Sequence, residues 1–128
     1  MYSSVRVGLD SALRLKPEGI LVLPVDHPTV KPTTVLDLVT VMRLALHACK
    51  SPQERRTFSY ALVPRYQRRR GHPVMLSPAL ARAVVEDAKA ENLSDAVRRN
   101  SRLLGFLDVT DRGVVRNQNT PRGRMASI

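Results

Sequence analysis

Tryptophan is absent from this 128-residue chain, aromatic residues make up 4% of it, and Cys49 is the single cysteine. One thiol excludes an intramolecular disulfide and a zinc site built on paired cysteines, so a reducing cytoplasm is the expected compartment. The scarcity of aromatics, with no aromatic/basic repeat, argues against a stacking platform for single-stranded nucleic acid. No apolar run approaches the ~18 residues that a membrane span needs. The opening MYSSVRVGLD also lacks the continuous apolar stretch of a secretory signal. Neither a GxGxxG nor a GxxxxGKS/T phosphate loop occurs. Acidic residues are few: 11 Asp+Glu stand against 21 Lys+Arg, a net charge of +10. Residues 65–128 carry +7 of it, and only four of the cations are lysine. Such an excess suits anionic partners (nucleotides, nucleic acids, phosphorylated metabolites), or it reflects an arginine-rich composition shared across a proteome.

Helical and strand patterns alternate along the chain. Val5, Leu9, Ala12 and Leu13 form a helical stripe that Ser3 or Ser4 can cap. Lys16-Pro17-Glu18-Gly19 ends it. Ile20 to Val25 is continuously apolar apart from Pro24, the pattern of a strand covered on both faces of a parallel sheet. Pro32 suits the first turn of the next helix, with Val35, Leu38, Val39, Met42, Ala45, Leu46 and Cys49 on its apolar face. That places Cys49 as a small core residue and His47 on the solvated face. Residues 50–57 read as a charged loop, and Phe58 to Val63 as a strand. After RYQRRRGHP comes a short strand, Val74 to Leu76. Ser77-Pro78 opens a helix running toward Ala90, and Ser94 opens a shorter one. Leu103 to Val109 reads as strand, Asp111-Arg112-Gly113 as a turn, and Val114-Val115 as extended chain. The expected class is α/β, three layers with a largely parallel sheet. Residues 1–121 form one domain and 122–128 a loose basic tail.

Two segments carry chemistry. In VLPVDHP, residues 22–28, Asp26 stands at the carboxyl end of a buried strand, where open α/β sheets bind ligands. It is either a hard ligand for Mg²⁺ or a cap of the following turn. His27 has no evident partner. In YQRRRGHP, residues 66–73, three adjacent arginines precede Gly71, whose missing Cβ allows close backbone approach to a ligand. The arginine forks either match phosphate oxygens or form a solvated loop.

SSVRVGLDSAL, GILVLPVDHPTVKPTTV, RRRGHPVML and VVRNQNTP, in this order, resemble the MobA-like nucleotidyltransferases over about residues 3–121. These include the enzymes that attach CMP or GMP to molybdopterin. The resemblance implies a Rossmann-like α/β/α nucleotidyltransferase domain, Mg²⁺ dependence, and CTP or GTP and a molybdopterin-like phosphate as partners. It assigns the metal to Asp26, the nucleotide to Ser3 and Ser4, and the acceptor to Arg69, Arg70, Gly71, His72 and Pro73. Nucleic acid and membrane are not implied as partners. Nothing in residues 1–20 matches the family's Gly-rich loop, so the expectation is a carboxyl-terminal portion lacking the first strands. It would be an enzyme completed by a partner chain or a homo-oligomer, or a non-catalytic remnant binding a nucleotide or partner protein. Asn117-Gln118-Asn119-Thr120-Pro121 stands where the family has DxDTP, and Arg68 where it tends to have glycine.

Overall fold

The computed structural model describes residues 2–23 and 29–115. Helix α1, Tyr2–Leu13, turns its Val5, Leu9, Ala12 and Leu13 stripe into the core. Ser3 and Ser4 lie within its first turn rather than at a cap. Lys16, at φ 53°, then breaks the helical path, and strand β1 follows as Ile20–Val22. Helix α2, Pro32–His47, buries Leu38, Met42 and Leu46 as its periodicity predicts. Cys49 is half-buried below it, and burial is the largest of the effects that raise its thiol pKa.

The segment expected as a charged loop contains a short helix, α3, Pro52–Arg56. Ser51 caps it by accepting from the Glu54 amide at 3.1 Å, and Glu54 in turn accepts from the Lys50 amide at 3.2 Å. This is a near relative of the capping box, and the S-x-x-E spacing carried the signal. Strand β2, Tyr60–Tyr66, turns through Gln67 and Arg68 into β3, Arg69–Arg70, and then β4, Val74–Leu76. Helix α4 spans Pro78–Glu86, stopping short of Ala90, and α5 spans Leu93–Asn100 under an Asn92 cap rather than opening at Ser94. Strand β5 is Leu103–Asp108. The turn expected at Asp111-Arg112-Gly113 is a 3-10 turn, Arg112–Val114, which takes in Val114 where extended chain was expected, because the Asp111 side chain accepts from the Gly113 amide and curls the backbone.

The sheet is mixed rather than largely parallel. β2 is central, pairing in parallel with β5 on one side and antiparallel with β3 and β4 on the other. β4 also pairs antiparallel with β1, so β1, β2 and β5 point one way with β4 inserted against them. β1 is shorter than the apolar run implied, and Leu23 just beyond it is 41% exposed. Helices α1, α4 and α5 cover one face through Leu9, Leu80, Val84 and Val97. α2 covers the other, packing Leu38 and Met42 on Leu62 and Met75. Helices on both faces of the sheet give the three α/β/α layers expected from the sequence.

Candidate functional site

The ladder register brings Val22, the first residue of VLPVDHP, and Pro73, the last of YQRRRGHP, to the same rim. Val22 pairs with Val74, so Pro73 adjoins the end of β1. The Gly71 amide donates to the Pro64 carbonyl at 2.9 Å, which fixes the segment Gly71-His72-Pro73 beside the carboxyl end of β2. β5 ends at the same level, its Val109 amide donating to the Arg65 carbonyl at 2.9 Å. This is the edge where open α/β sheets hold ligands. Asp26, His27 and the Asn117–Pro121 segment lie outside the described residues.

Asp111, 5% exposed, ties the rim together. Its Oδ2 accepts from the Lys31 amide at 2.8 Å and the Thr34 hydroxyl at 2.7 Å, both at the start of α2. Oδ1 accepts from the Gly113 amide at 2.9 Å. Burial pushes this carboxyl up, but those donors and the Lys31 charge outweigh it and hold the group below the usual carboxylate range. Val114 of the same turn accepts from the His72 amide at 2.8 Å. Three rim segments (29–34, 71–73 and 111–114) are thereby locked to one another. The sequence marked the local Asp-x-Gly turn. It held no sign of the bonds from Asp111 to α2.

Gly71 owes its identity to this lock. A Cβ there would collide with the Val114 carbonyl, so the glycine makes room for protein backbone instead of the ligand expected from the sequence. Half-buried His72 and buried Pro73 carry the motif into β4, across a cis peptide bond. The arginine run does not act as one cluster. Arg70 pairs with Arg65, and both guanidinium groups lie over Phe106, at 5.0 and 4.6 Å from the ring centroid. Arg65 is also bonded to Asp108 at 2.8 Å, and that bond, against some burial, lowers the Asp108 pKa. Arg69 pairs with Tyr66 and so takes the opposite face of the hairpin. Arg68 sits in the turn at φ 67°, the left-handed region that favours glycine.

Ser3 and Ser4 are exposed. The next turn of α1 is tied to α4, where Arg6 donates to the Val85 carbonyl at 3.1 Å. Among the described residues neither serine bonds to the rim. A hollow of about 540 Å³ between α4 and α5 is lined by Ala83, Glu86, Asp87, Arg99 and Asn100. Asp87 there is already held by Arg99 and Asn100, both at 2.9 Å, which keeps its pKa well below the usual range. A second cleft, about 350 Å³, opens on the rim itself and is lined by Thr29, Lys31, Tyr66, Thr110, Asp111, Arg112 and Gly113.

Among the described residues no three His, Cys, Asp or Glu side chains gather to hold a metal. Asp111 has both oxygens committed. No described helix is long and apolar enough to cross a membrane. No curated protein matches the chain. The model of the MobA-like NTP transferase domain matches residues 1–104, which include both VLPVDHP and RRRGHP. With four-fifths of its length so matched, the chain belongs to the MobA-like NTP transferase domain family.

Proposed function

We propose that this protein takes part in transferring CMP or GMP from CTP or GTP to a molybdopterin-like phosphate in the cytoplasm. The family supports nucleotidyl chemistry and nucleotide binding in general. The observation that supports the finer reading is the register Val22↔Val74, which sets the GHP segment beside the end of β1. In this transfer an acceptor phosphate oxygen attacks the α-phosphorus of the nucleotide. A P–O bond forms, the bond to the β-phosphate breaks, and pyrophosphate leaves. Like charges are brought together, so the protein contributes chiefly positioning and cations rather than a nucleophile. Family members typically depend on a divalent metal. Asp26 with phosphate oxygens would hold Mg²⁺, which supplies charge neutralisation at the reacting phosphates.

A second reading is a nucleotide- or partner-binding protein without turnover. Asn117 and Asn119 favour it, since neither amide supplies the charge of the family's carboxylates. One experiment separates the two. CTP and GTP binding would be titrated with and without Mg²⁺, and pyrophosphate release followed with molybdopterin as acceptor. Mg²⁺-dependent binding that Asp26→Asn abolishes, with little change in the melting midpoint, is expected. Pyrophosphate release would establish transfer, and binding without release would establish the second reading. Equal Mg²⁺ dependence in both proteins would remove Asp26 from the metal site.

A further inference from the structure

We propose that the rim cleft between the start of α2 and the 3-10 turn is a phosphate monoester site, held by Lys31 and Arg112 with Arg69 on the neighbouring hairpin face. The inference rests on the nucleotidyl-transfer reading and names the group that seats the acceptor. Lys31 and Arg112 line the cleft. Arg69 shares a face of the hairpin with Tyr66, another lining residue, because the two pair across it. No carboxylate forms an ion pair with any of the three among the described residues. Asp111 contributes one negative charge, but its oxygens face the Lys31 amide, the Thr34 hydroxyl and the Gly113 amide. Two lining cations, Lys31 and Arg112, against one engaged anion leave the cleft positive. Thr29, also lining it, has a buried hydroxyl oxygen with no hydrogen-bond partner among the described residues. A buried, unanswered hydroxyl costs free energy that a phosphate oxygen would recover. The start of α2 adds the positive end of a helix dipole, with Lys31 as an N-cap that offers no side-chain bond of its own.

Size selects the ligand. At about 350 Å³ the cleft stands near the lower end of ligand pockets. It takes a phosphate head and the few atoms beside it rather than a whole nucleoside triphosphate. The Asp111 lock places it next to the GHP segment, because the turn that holds Arg112 also accepts from the His72 amide.

The test uses the full chain, with inorganic phosphate and glycerol 3-phosphate as probes in calorimetric titrations at low salt. Lys31→Gln and Arg112→Gln should each weaken binding of the monoester by about tenfold or more, as expected for a lost charge-assisted bond. Arg102→Gln, which removes the same charge elsewhere on the surface, should change it less than about twofold. Equal losses in all three would mean diffuse attraction by a basic protein and overturn the site. Competitive displacement of the monoester by CTP or GTP without metal would assign the cleft to nucleotide phosphates and overturn the acceptor assignment. None of these readouts needs turnover. An inactive protein that still shows the Lys31 and Arg112 effect retains the site while losing the transfer reading.

Discussion

At Asp111 one carboxylate answers an amide from a helix end, a hydroxyl from its first turn and an amide from the aspartate's own loop. Removing it strands all three donors in a buried setting, which costs more than the bonds themselves are worth. Asp111→Ala should therefore lower unfolding free energy by about 2–4 kcal/mol, measured by denaturant titration. Asp111→Asn should cost less at neutral pH, because one oxygen remains to accept. The pH dependence has a definite sign. The folded carboxyl is depressed, so its contribution is complete above the ordinary carboxylate value of about 4 and fades as pH falls through the folded value. Stability of the parent should drop more steeply below about pH 4 than that of Asp111→Asn, since Asp87 and Asp108 titrate alike in both. Equal slopes would show that the charge at Asp111 contributes nothing. The sequence could show Asp-x-Gly as a turn, but a bond to Thr34 follows no period along the chain. The contact at Gly71 is hidden for the same reason: its neighbour, the Val114 carbonyl, comes from a distant part of the sequence.

Among the elements, the β2–β3 hairpin is the least optimised. Its two turn residues, Gln67 and Arg68, both have positive φ, at 49° and 67°, as in a type I′ turn. Asn-Gly is the preferred pair for that geometry, and its absence is why the hairpin was not visible in RYQRRRGHP. Gln67→Asn with Arg68→Gly should stabilise the protein by about 0.5–1 kcal/mol, seen as a higher melting midpoint. An unchanged or lower midpoint would mean that these side chains make contacts outweighing the strain. The helices were more legible. The α2 stripe and the Ser77-Pro78 start both reappear, with Ser77 accepting from the Tyr60 amide at 2.9 Å as well as capping α4. Strand direction was not legible. Ile20-Leu21-Val22 is apolar because helices cover both faces, and that pattern is the same whether the partner runs parallel or, like β4, antiparallel.

For the molecule as a whole, two tendencies oppose each other. Among the described residues β1 pairs only with β4 and β5 only with β2, so both outer edges are open to another strand. Leu103 and Leu104, on the β5 edge, are 53% and 41% exposed. Against this stands a net charge of +10, which keeps copies apart. Screening should decide the balance. Light scattering should show larger species as ionic strength rises from about 0.01 to 0.1 M, where the screening length shortens from about 30 to 10 Å. A monomer throughout that range would mean the edges are covered or too short to pair.

The insertion of β4 between β1 and β2 also bears on how the chain reaches its fold. Ile20 has no sheet partner until the ribosome has delivered Leu76, and Tyr60 waits for Leu103 to complete its other side. Each hydrogen-bonded ladder of the sheet except the local β2–β3 and β2–β4 returns must therefore close a long stretch of chain before it gains anything. The antiparallel unit β2–β3–β4 is the one piece that can assemble early. β1 and β5 then add to it from opposite ends of the sequence, so the strand that breaks the parallel order is also the one that lets folding begin.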